Sequence, residues 1–236
     1  MDVEIMKRIT IGFLVVFLSL ATCLAQENRQ FYAGITGGIV FPGNLNETWH
    51  NIDQTQSADL IHSLNDGFIL GARFGYTPTA LRKILAIELE YSFQTATVDR
   101  ITSNGFTADT AIIPAFSSNA NHSSASFNSL FLNIIARYPG GKVQPYLGFG
   151  PGITRSYISF DEPNLVGSYG LVESADDTGF SYQILFGADI DITSKISLGG
   201  SYKYFAVKPT MTWQNGTHSH YEYSSHNIVA DLKFHF

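Results

Sequence analysis

The stretch NIVADLKFHF, from Asn227 to Phe236, decides the fold. From Ile228 onward every second residue is apolar, and the residues between them are mostly polar or charged. Successive side chains of a β-strand point to opposite faces, so this alternation predicts a strand with one apolar and one polar face. The apolar face holds Ile228, Ala230, Leu232, Phe234 and Phe236.

Seven earlier stretches show the same alternation and predict seven more strands. They cover 31–41, 67–76, 84–98, 126–138, 143–160, 179–191 and the residues from Ile196 onward. The connections between them are alternately long and short. We interpret the polar stretches 42–66, 99–124 and 161–178 as long loops, the first with a short helical turn at 58–64, and 214–220 as a shorter loop. Such alternation is typical of an up-and-down antiparallel barrel.

Composition favours a membrane barrel over a soluble one. Only 14% of the 236 residues are charged, against about 25% in an average soluble domain. A soluble barrel would turn its apolar side chains inward. Here the polar faces are small and rich in glycine, as a narrow interior requires, while the apolar faces carry the bulky aromatic residues, which we expect to face lipid. The net charge of −6, without basic clusters, gives no reason to propose a nucleic-acid partner.

The N-terminal residues predict an export signal. A basic pair precedes an apolar run at 9–20, and Cys23 and Ala25 place small residues at the positions that a signal peptidase reads. The run is shorter than the about 20 apolar residues that a spanning helix needs. We expect a cleaved signal peptide at 1–25 and a barrel domain at 26–236; lipid attachment at Cys23 is the alternative.

Three motifs resemble those of a known family: PYLGFGPGI (145–153), DITSKISLGGSYKYF (191–205) and the terminal NIVADLKFHF. With them, residues 31–236 resemble the small bacterial outer-membrane β-barrels, namely the OmpA-type transmembrane domain and its opacity-protein and OmpX-like relatives. The resemblance implies an all-β, eight-stranded transmembrane barrel of the outer membrane, with short periplasmic turns and long extracellular loops, in contact with outer-membrane lipids including lipopolysaccharide. It also implies that the barrel-assembly machinery recognises the terminal strand through Ala230, Leu232, Phe234 and Phe236.

The polar strand faces collect charged residues that we expect inside the barrel. They are Arg73, Glu88, Glu90, Arg137, Asp189, Lys203, Asp231 and Lys233. An eight-stranded interior is just wide enough for side chains to fill, and buried charges need partners, so these residues predict a paired network that plugs the lumen. The alternative is a narrow, gated ion pathway that opens when ion-pair partners are exchanged.

An enzyme is a further alternative. Some small outer-membrane barrels modify lipid A, and the deacylase PagL has a His-x-Ser pair followed by Asn. His122 and Ser124 have this spacing, which puts both on one face of a strand. Ala125 and Ser126 follow instead of the family's Asn, and no acidic partner is evident. We therefore predict no catalytic residues.

The histidines His218 and His220, near His226, could bind a transition metal. Because histidines in polar loops are ordinarily solvated, we assign no metal site and no cofactor from the sequence. The most economical interpretation is a non-enzymatic outer-membrane protein whose extracellular loops contact an outside ligand. A porin-like channel and a lipid A acyl hydrolase remain the alternatives.

Overall fold

The computed structural model describes residues 30–50, 57–78, 81, 83–108, 111–113, 115–138, 140–159, 174–212 and 218–236. The predicted signal peptide, 1–25, lies outside these residues. The described chain forms the strands β1 (Phe31–Pro42), β2 (Leu45–His50), β3 (Ser57–Leu64), β4 (Gly67–Tyr76), β5 (Leu85–Ser103), β6 (Phe106–Ala108), β7 (Ala111–Ile113), β8 (Phe116–Arg137), β9 (Val143–Ser159), β10 (Ser174–Asp191), β11 (Ile196–Val207), β12 (Thr210–Thr212) and β13 (His218–His235).

Eight of these strands close into a ring in which every pair of neighbours is antiparallel. The order is β1, β4, β5, β8, β9, β10, β11, β13 and back to β1. This confirms the predicted eight-stranded up-and-down barrel. A closed ring satisfies the backbone hydrogen bonds of every strand internally, which a strand surrounded by lipid requires.

The ring has two sections. We call the section in which β1 pairs directly with β4 the membrane section. Each of the eight strands there presents at least one large apolar side chain on the outside. Examples are Ile35, Leu70, Leu89, Leu132, Phe149, Phe186, Leu198 and Ile228, all between 46% and 60% exposed. An exposed apolar belt around the whole circumference is the surface that a bilayer covers.

Beyond the membrane section, a β2–β3 hairpin takes the place of β1 and β4 in the wall. β2 pairs with β13, and β3 pairs with β5, so the ring stays closed. We call this part the extracellular extension. The 22 residues of β8 span about 70 Å along the strand, at about 3.3 Å per residue. Even tilted, they rise well above an apolar band about 25 Å tall.

The polarity of the wall inverts between the two sections, as the single strand β8 illustrates. In the membrane section, Leu132 points outward and Asn133 is fully buried inside. Toward the extension, Phe127 and Ala125 are the buried side chains, and Ser126 lies on the opposite face. The outside of the extension faces water, so its apolar side chains pack inward as in a soluble barrel.

Two of the predicted long loops are therefore wrong over much of their length. Within the stretch 42–66, residues 45–50 form β2 and residues 57–64 form β3 in place of the predicted loop and its helical turn, because Ala58, Leu60 and His62 alternate inward. The stretch 99–124 continues β5 to Ser103 and contains the start of β8. Of the third loop, 161–178, residues 174–178 belong to β10, and the residues before them lie outside the described ranges.

Gly150 on β9 shows why the interior faces need glycine. A Cβ atom at this position would lie 1.9 Å from Oδ1 of Asn133, in the middle of the polar interior. A side chain there would displace Asn133 from its hydrogen bonds. Gly150 of the PYLGFGPGI motif thus makes room for the side chain of Asn133, which agrees with the expectation that a narrow interior requires glycine.

Candidate functional site

The structure brings all eight charged residues of the sequence analysis together inside the membrane section. Each is at most 8% exposed, and we call the set the charged layer: Arg73, Glu88, Glu90, Arg137, Asp189, Lys203, Asp231 and Lys233. Four are cations and four are carboxylates, so the layer is formally neutral. Buried charges are tolerated when they are paired in this way.

Ion pairs in this layer cross the lumen. Nζ of Lys203 on β11 contacts Oε1 of Glu90 on β5, and these two strands are diametrically opposite in the ring. Nη2 of Arg73 lies 2.8 Å from Oδ1 of Asp231, while Nη1 lies 3.8 Å from Oε1 of Glu88. The charged layer therefore bridges the barrel.

The remaining two cations share one carboxylate. Nζ of Lys233 lies 2.9 and 2.7 Å from the two oxygens of Asp189. Nη2 of Arg137 lies 3.6 Å from Oδ2 of the same residue. Arg137 also borders a cavity of about 480 Å³ at the periplasmic mouth, whose lining includes Lys83, Asp191 and His235.

Neutral polar side chains that the sequence analysis left out complete this network. The Asn133 amide donates to Oε1 of Glu88 at 3.0 Å and to Oε2 of Glu90 at 2.9 Å. The Gln183 amide donates to the same Glu90 oxygen at 3.1 Å, and the Tyr32 hydroxyl donates to Glu88 at 2.9 Å. Their position on the inward face of each strand, alternating with lipid-facing residues, could have identified them.

An aromatic layer lies on the extracellular side of the charged layer, where the membrane section meets the extension. It consists of Phe127, Phe131, Phe205 and Tyr223, all at most 3% exposed. The rings of Phe127 on β8 and Tyr223 on β13 stack with centroids 4.2 Å apart, across the full diameter of the ring. The expectation that the bulky aromatic residues face lipid does not extend to these four. They lie on the inward faces of their strands, and the alternation along β8 already places Phe131 on the same face as Asn133.

A buried polar group holds the β2–β3 hairpin to β13 inside the extension. The Ser219 hydroxyl donates to Oε1 of Glu47 at 2.6 Å, and Nε2 of His62 lies 2.7 Å from Oε2 of the same carboxylate. Tyr221 is buried beside them, and burial, followed by the Glu47 charge, raises the pKa of its hydroxyl well above the ordinary value. Sequence reasoning missed this group, since Glu47 and Ser219 are 172 residues apart.

The enzyme alternative rested on His122 and Ser124, whose positions fall on β8 near its extracellular end. The side chain of His122 lies outside the described part of the chain. Ser124 pairs with Thr97 on β5 and with Ser159 on β9, and neither partner is an acid or a base. Among the described residues, neither register partner of Ser124 could therefore act as the base that a serine nucleophile needs.

The histidines singled out from the sequence separate into two groups. His226 contacts Tyr202 and Tyr204, on the outer face of β11. His218 and His220 lie higher on β13, next to His50 of β2, with which His218 is in register. Among the described residues, no three His, Cys, Asp or Glu side chains are already arranged around one metal position.

The proposed assembly signal lies on the outside of β13. Ala230 and Phe234 are exposed, and Leu232 and Phe236 are half-buried. The described residues contain no helix that is both long and apolar enough to cross a membrane.

Comparison with known proteins agrees with this geometry. Residues 11–236 match the family model described as the outer membrane protein beta-barrel domain. No curated protein matches the chain.

NspA and OprG, two similar solved structures, share the fold at low sequence identity. Neisserial surface protein A, NspA, is 14% identical with a TM-score of 0.52, over 87% of this chain and 97% of NspA. OprG from Pseudomonas aeruginosa is 15% identical with a TM-score of 0.53, over 88% of this chain and 97% of OprG. The outer membrane protease OmpT from Escherichia coli is 10% identical with a TM-score of 0.48, over 88% and 97%. The chain is an integral protein of the outer membrane and belongs to the outer membrane protein β-barrel family.

Proposed function

We propose that this protein is a non-enzymatic surface protein that contacts an outside ligand through its extracellular extension and loops, with a lumen closed to solutes. The observation that carries the proposal is that side chains bridge the full diameter at two levels. Lys203 meets Glu90 in the charged layer, and Phe127 stacks on Tyr223 in the aromatic layer. A solute crossing the barrel would have to displace both contacts.

The extension supports the proposed contact with an outside ligand. Its wall is built from paired strands and has its own buried apolar core, which includes Leu45, Leu60, Ile101 and Met211. A rigid platform of this kind presents side chains to the outside in fixed positions, which favours recognition of a ligand. The lipid-facing membrane section then serves as the anchor.

Conductance in planar bilayers tests the closed lumen. We expect protein refolded in detergent, checked by its shift on a gel after boiling, to give no steady conductance steps. Discrete steps that change on substitution of Arg137 or Lys203 would establish the channel alternative instead. That alternative draws on one observation: Arg73 has two carboxylates within 3.8 Å, so an exchange of ion-pair partners is geometrically available.

Surface display tests the binding role. Cells displaying the protein are compared with cells displaying a variant in which the outward residues Asn46, Thr48, Asp59 and Ile61 of the hairpin are alanine. We expect display to increase attachment to plates coated with laminin, fibronectin or purified lipopolysaccharide, and the variant to lose that increase. Equal attachment by displaying and non-displaying cells on every coating would contradict the proposal.

We also propose that the barrel-assembly machinery recognises Ala230, Leu232, Phe234 and Phe236. The supporting observation is that Ala230, Leu232 and Phe234 lie on the outer face of β13, which closes the ring with β1, and that Phe236 directly follows this strand. Replacing Phe236 by serine is expected to lower the amount of protein inserted in the outer membrane, measured by heat-modifiability of the membrane fraction. An unchanged amount of the heat-modifiable form would contradict this role.

A further inference from the structure

Three histidines share the outer face of the extracellular extension. His218 and His220 are two residues apart on β13, so their side chains leave the same face of the strand. His50 on β2 is directly opposite His218 in the antiparallel register, on that same face. His220 is exposed, and His50 and His218 are half-buried.

The spacing of the His50 and His220 rings suits two ligands of a tetrahedral metal site. The ring centroids of His50 and His220 are 5.5 Å apart, with an angle of 74° between the ring planes. Two imidazoles bound to one zinc ion, with Zn–N bonds of about 2.0–2.1 Å, have centroids about 5 Å apart. His218 completes the set, because directly opposite residues of antiparallel strands have Cβ atoms about 4.5–5.5 Å apart.

Threonines of β12 orient two of these rings. Oγ1 of Thr210 lies 2.9 Å from Nδ1 of His220, and Oγ1 of Thr212 lies 3.1 Å from Nδ1 of His218. When Nδ1–H donates to the threonine oxygen, Nε2 carries the lone pair that a metal ion binds. Histidine ligands of metal sites are typically held by a hydrogen bond of this kind on the other ring nitrogen.

We propose that His50, His218 and His220 bind one divalent transition-metal ion, such as Zn²⁺, with water as the fourth ligand. Imidazole is a preferred ligand for zinc, copper and nickel, and three histidines plus water form an open tetrahedral site. Binding requires side-chain rotations that bring the three Nε2 atoms to one point while Nδ1 of His218 and of His220 stays on its threonine. The ion then links β2 to β13 on the outside of the wall, opposite the buried contact between Glu47 and Ser219.

Titration of untagged protein, refolded in detergent, tests the site. We expect one Zn²⁺ per barrel by calorimetry, and Co²⁺ is expected to give the strong visible absorption of tetrahedral coordination. His50→Ala, His218→Ala and His220→Ala should each lower the Zn²⁺ affinity by at least about 100-fold, and Thr210→Val by about tenfold. The matched control is His226→Ala, because His226 lies on the same strand but away from the three rings.

A second measurement reports on the link between strands. Zn²⁺ is expected to slow proteolysis of the β2–β3 hairpin in the wild type and in His226→Ala, but not in His50→Ala. The proposal is overturned if the wild type binds no stoichiometric Zn²⁺. It is also overturned if His50→Ala binds as tightly as the wild type, since the site depends on the register of β2 with β13. Neither outcome depends on the proposed attachment role.

Discussion

The membrane section and the extracellular extension share most of their strands, yet they are built with opposite polarity. In the membrane section the outside is apolar, and the inside holds eight paired charges. In the extension the inside is mostly apolar, apart from the buried group around Glu47, and the outside carries polar residues such as Thr48, Asp59 and His220. Alternation along a strand therefore specifies two faces, but the solvent on each side decides which face is buried.

The largest effect is expected from breaking the core of the membrane section. Lys203→Met leaves the buried Glu90 carboxylate without its cation and should lower the free energy of unfolding by about 3–5 kcal/mol. Urea unfolding of the refolded protein, followed by tryptophan fluorescence, measures it. The double variant Lys203→Met/Glu90→Gln should recover part of the loss. Lys208→Met, which removes only an exposed pair with Glu222, is the matched control and should leave the midpoint unchanged.

Breaking the apolar core is expected to be nearly as costly. Phe127→Ala removes the ring that stacks on Tyr223 and leaves a cavity at the junction, which should lower the free energy of unfolding by about 3 kcal/mol or more. The same urea titration measures it. In a double-mutant cycle with Tyr223→Ala, a coupling of about 0.5–1.5 kcal/mol is expected. Strictly additive losses would show that the stacked pair contributes no more than its separate burial.

Outward substitutions on β8 test the inversion directly. Leu132→Lys places a charge in lipid and should cost about 2–4 kcal/mol if the residue lies near the midplane, whereas Ser126→Lys, six residues earlier on the same outer face, should cost close to nothing. Unfolding in lipid vesicles rather than detergent is the measurement. Equal costs at the two positions would place the membrane boundary elsewhere on the strand.

The smallest expected effect is a change in how the free energy of unfolding depends on pH. The buried Tyr221 hydroxyl has a raised pKa, so it stays neutral in the folded protein at a pH where the unfolded chain ionises. Neutral Tyr221 therefore contributes fully to the free energy of unfolding below pH about 10. Above that pH the unfolded chain gains stability by ionising, and the contribution of Tyr221 falls by about 1.4 kcal/mol per pH unit. In urea titrations between pH 10 and 11, the free energy of unfolding of Tyr221→Phe should therefore fall less steeply with pH than that of the wild type. The other tyrosines titrate in both proteins, so an identical slope would contradict the prediction.

The sequence predicted the membrane section well, because charges such as Glu88 and Glu90 alternate there with lipid-facing Leu89. It did not predict the extension. Leu60 and His62 alternate too weakly to distinguish a strand from a polar loop. Phe127 shares the inward face of Asn133, but the alternation does not show that this face becomes apolar toward the extension. His50 could not be grouped with His218, because only the pairing of β2 with β13 brings them together.

The pairing of β13 with both β1 and β2 has a consequence for the order of folding. One strand near the C-terminal end closes the membrane section and the extension at once, through contacts between residues far apart in sequence. Contacts of such high contact order form late, because the entropy of closing the whole chain must be overcome first. The pairings of β13 with β1 and with β2 should therefore form in a single slow step. The β2–β3 hairpin should then acquire protease resistance at the same rate at which the barrel becomes heat-modifiable.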